Sequence, residues 1–249
     1  MSDKAVSEGY TARMLLRFLK PYRAIGLDMV RIGRPFDGGY VMVDAFDGVE
    51  IAYSLGINGD ISWDFDIAQR GIDVYQYDHT IDKLPLEHSR FHWKKIGVNH
   101  QSEGDLKSLN ELIAENGHSS ATNMLLKCDI EGHEWLTFAF TPASIFNQFS
   151  QIIVEMHSVQ RFGDPSFATT ARQALFNITA HHRAVHIHGN NFSQFEPVGG
   201  IPLPQTIEVT FLRKDMVSFE PATHTFPTPL DMPCNPGEAD LYLGTFTFD

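Results

Sequence analysis

Residues 51–78 read IAYSLGINGDISWDFDIAQRGIDVYQYD, and this stretch decides the fold. It begins with an apolar strand at 51–55, passes through a glycine-containing turn, continues as a helix at 61–70 and ends in a second strand at 74–77. A strand, a crossover helix and a strand in this order predict two parallel neighbours in one sheet.

The same alternation continues towards the carboxyl terminus. It predicts strands at 91–98, 124–128, 151–156, 184–187, 206–212 and 241–248, and helices at 105–115, 134–140 and 168–179. Alternating strands and helices predict an α/β fold, Rossmann-like, with a mostly parallel central sheet and helices on both faces. Five prolines between residues 221 and 236 predict a long loop, which we expect to cover the substrate pocket.

The first 45 residues precede this alternation. They contain an amphipathic helix at 12–19, stopped by Pro21, and two short strands at 29–32 and 40–43 around a turn rich in Gly, Pro and Asp. The sequence therefore predicts an extension over residues 1–45, a helix and a hairpin packed on a main domain at 46–249.

Composition limits the classes of protein and partner. The chain has 249 residues, two cysteines and a formal net charge of −12. It contains no apolar run of about 18 residues and no secretory signal pattern, which predicts a cytoplasmic protein outside the membrane. Two cysteines cannot form a disulfide framework. The negative charge argues against nucleic acid and anionic membranes as partners, and favours a small molecule, a sugar or a peptide. The oligomeric state cannot be inferred.

The turn after the first strand carries Gly56 and Gly59, spaced Gly-x-x-Gly and not Gly-x-Gly-x-x-Gly. Glycines at these places let the backbone turn tightly and approach a ligand closely. Asp78 ends the second strand, 22 residues after Gly56. An acidic residue at about this distance can accept hydrogen bonds from ribose hydroxyls, so the pair predicts a nucleoside cofactor.

Three later strands also end in polar residues. The fourth runs into Asp129, Glu131 and Glu134; the fifth ends in Glu155 and His157; the sixth contains His186 and His188. Residues two apart on a strand share a face, and parallel strands end at one edge of the sheet. We therefore expect Asp129, Glu155, His157 and His188 to meet.

That set allows two interpretations. Asp129, Glu155, His157 and His188 could hold a divalent metal through carboxylate oxygen and imidazole nitrogen. Alternatively, His157 or His188 could deprotonate a hydroxyl while carboxylates, Asp129 among them, orient the imidazoles.

At these residues the sequence resembles the FkbM-like family of methyltransferases that use S-adenosylmethionine (SAM). The matching segments span residues 37 to 191. They are DGGYVM at 37–42, YSLGINGD at 53–60, WDFD at 63–66, residues 74–80 with Asp78-His79, KCDIEGHEW at 127–135, residues 153–157 and HIHGNN at 186–191.

The resemblance implies a class I methyltransferase domain at 46–249 and O-methylation of a sugar or other small molecule. It implies that the turn holds the methionine part of SAM, that Asp78 holds the ribose, and that Asp129 and Glu131 lie beside the methyl donor. The full implied SAM set is Ser54, Gly56, Asn58, Gly59, Asp60, Asp78, His79, Asp129 and Glu131. Ser54 stands where the family usually carries an acidic residue.

Three other functions compete. A nicotinamide-dependent oxidoreductase shares the fold, but the glycine spacing disfavours it. A metal-dependent hydrolase would use the same carboxylates and histidines without needing a nucleoside site. A non-catalytic binding protein on a methyltransferase fold is disfavoured because buried polar groups without a ligand are costly.

Overall fold

Seven strands form the central sheet in the computed structural model, which describes residues 3–248 and, within the first helix, side chains from residue 6. In chain order the strands are β1 (Ile51–Leu55), β2 (Asp73–Tyr77), β3 (Phe91–Lys94), β4 (Met124–Cys128), β5 (Phe149–Met156), β6 (His182–Gly189) and β7 (Ile207–Arg213). Their order across the sheet is β6-β7-β5-β4-β1-β2-β3. Neighbours from β5 to β3 are parallel, whereas β7 is antiparallel to β5 and β6. The mostly parallel α/β sheet is confirmed.

Helices pack on both faces of this sheet. They are α1 (Asp3–Leu16), α2 (Ser62–Gln69), α3 (Leu109–Glu115), α4 (Glu134–Phe140), α5 (Ala143–Phe146) and α6 (Pro165–Thr179). Side chains along β1 alternate between the faces, as the strand period requires. Ala52 joins the core that includes α2, while Tyr53 and Leu55 join the larger core formed with the other helices.

The amino-terminal hairpin covers the face that carries α2. Its strands, Met29–Ile32 and Tyr40–Val43, pair antiparallel, and Tyr40 and Met42 share a core with Trp63 of α2. The side chain of Gln151 in β5 pairs with both backbone groups of Val43, each at 3.0 Å. A buried side chain of the sheet thereby satisfies backbone groups of the hairpin that would otherwise lack partners.

Local capping explains where two helices start. The helix predicted at 105–115 begins only at Leu109, because Ser108 accepts a hydrogen bond from the Glu111 amide at 3.3 Å. Residues 106–107 instead pair with Gly97–Val98, which divides the strand predicted at 91–98 into two. Asp164 caps α6, and Pro165 occupies its first turn.

The strand predicted at 241–248 was wrong. This stretch makes one isolated bridge, between Phe226 and Gly244, and otherwise has irregular backbone. Leu241 and Leu243 pack against Gly189 of β6 instead of extending the sheet. The proline-containing stretch before it is irregular as predicted, and a hairpin at Phe195–Val198 and Ile201–Pro204 adds structure that the sequence did not indicate.

The order of the strands creates a crevice at one place. From β1 the chain moves outward to β2 and β3, and then returns to place β4 on the other side of β1. Ligands of open α/β sheets bind beyond the carboxyl ends of the strands at such a reversal. No helix within residues 3–248 is long and apolar enough to cross a membrane.

Candidate active site

A cavity of about 1000 Å³ opens at this reversal. Ten predicted site residues line it, namely Gly56, Asn58, Gly59, Asp60, Asp78, His79, Asp129, Glu131, Glu155 and His157. Ser54 and His188 do not. The structure therefore brings most of the predicted residues to one place.

The glycine turn after β1 is shaped by two glycines with different roles. Gly56 has a φ of +80°, and a Cβ added there would lie 1.7 Å from the backbone oxygen of Asp129. Gly56 is therefore required for the turn to pass beside the end of β4. A Cβ on Gly59 would meet no atom within 4 Å. Of the two, only Gly59 faces open space, which leaves its backbone accessible from the cavity.

Asp78 holds the turn in place. One carboxylate oxygen accepts hydrogen bonds from the amides of Ile57 and Asn58, each at 2.8 Å, and the other accepts from the amide and hydroxyl of Thr80 at 2.7 and 2.6 Å. Burial raises the pKa of Asp78, but these hydrogen bonds outweigh it and lower the pKa below its usual value. These four hydrogen bonds occupy the roughly four acceptor sites of the Asp78 carboxylate, so in this structure Asp78 stabilises the turn.

The loop of the amino-terminal hairpin is fastened to the same turn. The Arg34 guanidinium lies 2.7 Å from the Asp60 carboxylate, and the other Asp60 oxygen accepts from the Ser62 amide at 2.8 Å. The Ser62 hydroxyl in turn accepts from the Arg34 amide at 3.0 Å. Asp60, predicted as a cofactor residue, thus lines the cavity while joining the extension to α2.

Lys127 and Asp129 form the end of β4. The buried Lys127 ammonium donates to the backbone oxygen of Gly56 at 2.7 Å and thereby ties β4 to the glycine turn. Burial raises the pKa of Asp129, although the positive charges of Lys127 and His157 oppose that shift. Sequence reasoning included Lys127 only as part of a motif. Its position within an otherwise apolar strand was the signal that could have identified it.

Glu134 positions His157. This fully buried carboxylate accepts from the His157 amide at 2.7 Å and from the imidazole Nδ1 at 3.3 Å, and its second oxygen accepts from the Gly132 amide at 2.8 Å. The Trp135 indole donates to the His157 carbonyl at 2.6 Å. These contacts fix the imidazole at the cavity wall, and sequence reasoning had assigned no role to Glu134.

Charge keeps His157 protonated. Burial lowers its pKa, but the carboxylates of Glu134, Glu155 and Asp129 have the larger effect and raise it to about 9. The imidazole Nε2 lies 3.4 Å from Glu131 and 3.6 Å from Glu155. At neutral pH the imidazole therefore carries a positive charge, and the neutral form that accepts a proton increases as the pH rises towards 9.

Glu155 and its neighbours form the deeper wall. Burial raises the pKa of Glu155 well above its usual value, and the negative charges of Asp129 and Glu208 add to the shift. The amide of Asn190 donates to Glu155 at 2.8 Å. Oxygens of Asp37, Glu155 and Glu208 all lie within 4.8 Å of one another. Sequence reasoning missed Asn190 and Glu208 as site residues, because their contacts come from distant segments.

The predicted cluster of Asp129, Glu155, His157 and His188 does not form. Within residues 3–248, the group that consists entirely of cavity-lining residues with ligand atoms close enough for one ion is Asp129, Glu131 and His157. His188 is buried behind the cavity, with Nδ1 at 2.9 Å from Glu208 and Nε2 at 3.0 Å from Asp240. His188 does not line the cavity, so the geometry does not support the predictions that it acts as a base there or shares an ion with Asp129 and His157.

Two further expectations are corrected. Ser54 is fully buried within β1, beside the Asp64 carboxyl, and cannot reach a ligand in the cavity. No residue after 206 lines the cavity among the described residues, so the irregular segment does not cover it. The exposed ring of Phe192 and the hydroxyl of Ser193 stand at the cavity wall instead.

Comparison with known proteins gives little similarity. No family model matches the chain, and no curated protein matches it. One similar solved structure is named "Putative hemolysin from Streptococcus thermophilus", with 10% identity and a TM-score of 0.36. The match covers 66% of this chain and 59% of that chain, so the chain spans about 59% of its length.

Proposed function

We propose that the protein is a SAM-dependent methyltransferase that methylates a hydroxyl group of a small molecule or sugar. The observation that carries the proposal is the charge of the cavity wall. Six acidic residues line it, against three cations, namely Arg34, Lys127 and the protonated imidazole of His157. The carboxylate residues are Asp37, Asp60, Asp78, Asp129, Glu131 and Glu155.

This wall suits a cationic cofactor. SAM carries a sulfonium, an ammonium and a carboxylate group and so has a net positive charge, whereas the nicotinamide dinucleotides carry a negative pyrophosphate. Arg34 is paired with Asp60, and the Lys127 ammonium donates to Gly56. The charge of Lys127 acts on the carboxyl groups of Asp64 and Asp129, and His157 lies beside Glu131 and Glu134. Each cation thus has an acidic neighbour within the protein, so opposite charge favours SAM and like charge disfavours NAD.

The sheet also supports this choice. The dinucleotide-binding fold has the strand order 3-2-1-4-5-6. Here an antiparallel β7 lies between β5 and β6. An antiparallel strand inserted at that position is the feature that distinguishes the class I methyltransferase sheet from the dinucleotide-binding sheet.

The residues present fit a nucleoside cofactor together with an acceptor. A cavity of about 1000 Å³ is at the upper end of the range of small-molecule sites. The open space at Gly59 allows close approach to the backbone. By the resemblance, the turn at Gly56–Asp60 would hold the methionine part, Asp78 and His79 the nucleoside, and Asp129 and Glu131 the region of the donor. All four hydrogen bonds that Asp78 accepts come from the protein. Ribose hydroxyls would therefore replace the amide and hydroxyl of Thr80 as donors to one of its oxygens.

SAM supplies a methyl group that its sulfonium already activates. The chain must then position the acceptor and remove its proton. We assign proton removal to His157 in its neutral form, with Glu134 as the positioning residue, because Glu134 contacts both its amide and its ring. Phe192 offers an exposed aromatic face for an acceptor at the cavity wall.

A metal-assisted version of the same function has one observation in its favour. Asp129, Glu131 and His157 place their ligand atoms within 4.8 Å of one another. A divalent ion on these residues would lower the pKa of an acceptor hydroxyl without a free base. Chelation separates the two versions, because it abolishes methyl transfer only if the ion is required.

Calorimetric titration with SAM and, separately, with NADH tests the cofactor. We expect micromolar binding of SAM and no heat from NADH. Absence of SAM binding, with and without added divalent metal, would contradict the proposal. Formation of S-adenosylhomocysteine with a panel of sugar and phenolic acceptors then distinguishes an enzyme from a binding protein that retains only the fold.

A further inference from the structure

The irregular carboxyl-terminal segment, residues 222–248, is fastened to the ends of β6 and β7 by buried polar side chains. Cys234 and Asp240 come from this segment, His188 from β6 and Glu208 from β7. His188, Glu208 and Cys234 are each at most 5% exposed. Loops longer than about 12–15 residues without secondary structure are uncommon in compact domains and are usually either functional or disordered.

Three of these side chains form one compact group. Glu208 lies 2.9 Å from His188 Nδ1 through one oxygen and 3.4 Å from Cys234 Sγ through the other. One ligand atom from each residue lies within 4.8 Å of the other two. Nitrogen, oxygen and sulfur donors thus face a common point.

The three ligand atoms are close enough to share a tetrahedral ion. Zinc bonds of about 2.0 Å to nitrogen and oxygen and about 2.3 Å to sulfur imply ligand separations of about 3.3 Å for nitrogen to oxygen and about 3.5 Å for sulfur to oxygen. His188 Nδ1 lies 2.9 Å from one Glu208 oxygen and Cys234 Sγ lies 3.4 Å from the other, and one ligand atom of each residue lies within 4.8 Å of the other two. An ion would replace these hydrogen bonds and bind one of the two Glu208 oxygens.

The charges also call for a cation. Asp240 lies 3.0 Å from His188 Nε2, and oxygens of Asp37 and Glu155 lie within 4.8 Å of a Glu208 oxygen. Two carboxyl groups, those of Glu208 and Asp240, therefore contact the His188 imidazole, and two more lie close to Glu208. Burying carboxylates without compensating positive charge is costly.

We propose that His188, Glu208 and Cys234 bind a zinc ion that clips the carboxyl-terminal segment to the sheet. Imidazole, carboxylate and thiolate are all ligands that zinc accepts. Asp240 would accept a hydrogen bond from the other imidazole nitrogen, as carboxylates beside zinc-bound histidines usually do. The fourth position of the tetrahedron is left to water. This site shares no residue with the Asp129, Glu131 and His157 group.

Cobalt is the probe that separates the two groups. Cobalt(II) bound to a thiolate gives an intense charge-transfer absorption, and the cavity group contains no sulfur. We expect one equivalent of cobalt to produce this band in the wild-type protein and in Cys128→Ser. Cys128 is the other buried free cysteine and serves as the matched control. Cys234→Ser should lose the band, and one equivalent of zinc should abolish it in the wild type.

X-ray absorption at the zinc edge of the wild-type protein keeps the test valid if Cys234→Ser fails to fold. We expect one sulfur at about 2.3 Å and nitrogen or oxygen at about 2.0 Å. A cobalt complex without the thiolate band, or a zinc shell containing only nitrogen and oxygen, would overturn the proposal.

Discussion

Polar residues lie at the same edge of both halves of the sheet, but the two halves use them differently. Beyond β1, β2 and β4, Gly56, Asp78 and Asp129 line an open cavity. At the adjoining ends of β6 and β7, His188 and Glu208 are covered by the segment that carries Cys234 and Asp240. Short turns after the strands leave the first half open, whereas the long carboxyl-terminal segment closes the second. Polar groups at the edge of the sheet are costly to bury without hydrogen-bond partners. Whether a ligand or the protein itself supplies those partners depends on the chain that covers the edge.

The largest expected effect concerns catalysis in the open half. His157→Gln removes the proposed base while retaining a polar side chain beside Glu134. We expect methyl transfer to fall by about 10²–10⁴-fold, the usual contribution of a positioned base. Initial rates at saturating SAM measure this effect, and the affinity for SAM should change far less than the rate.

The pH profile of the chelated wild-type enzyme sharpens this assignment. Since the pKa of His157 is about 9, its neutral form increases with pH below that value. The rate should rise about tenfold per pH unit from neutral pH and level off near the pKa. A rate independent of pH over this range would remove His157 from the role of base.

The two glycines of the turn should differ in stability. Gly56→Ala places a Cβ against the Asp129 carbonyl at a positive φ, and we expect it to cost about 3–5 kcal/mol of unfolding free energy. Gly59→Ala meets open space and should change stability by less than about 1 kcal/mol. Urea denaturation of the pair measures both values. Equal losses of stability in the two variants would contradict the claim that Gly56 is needed for the turn to pass close to Asp129.

The closed half offers a change that should affect stability alone. Asp231 accepts from His186 at 2.8 Å and from the amide and hydroxyl of Thr228 at 2.6 and 2.9 Å. Asp231→Ala leaves a buried histidine without its partner, and we expect a loss of about 3 kcal/mol. SAM affinity should stay within a factor of about two, because none of these residues lines the cavity. A large loss of SAM affinity would show that the two halves are coupled.

A smaller effect links His157 to stability. Its pKa is raised in the folded protein, so its contribution is fully present below the unfolded value of about 6.5 and is lost as the pH rises through about 9. The difference in unfolding free energy between wild type and His157→Gln should therefore shrink by about 1–3 kcal/mol over that interval. Paired denaturation series at fixed ionic strength measure the change. A constant difference would mean that the carboxylates do not stabilise the imidazolium.

The parts predicted from sequence are those that local patterns determine. The βαβ unit at 51–78, the glycine turn and the acidic end of β4 depend on strand, turn and helix signals in adjacent residues. The fate of His188 does not, because Glu208 and Asp240 meet it from 20 and 52 residues away. The alternating residues at 241–248 satisfy a strand pattern, yet they pack on Gly189 without forming a ladder. The roles of Glu134 and Asn190 likewise depend on contacts between distant segments.

Calorimetric titration of SAM into the wild type, Asp78→Asn and Asp231→Ala tests the central claim most directly. Asp78 organises the turn of the open half, whereas Asp231 organises the closed half. We predict micromolar binding to the wild type, at least about tenfold weaker binding to Asp78→Asn, and unchanged binding to Asp231→Ala. Absence of binding to the wild type, or equal binding to Asp78→Asn, would contradict the claim.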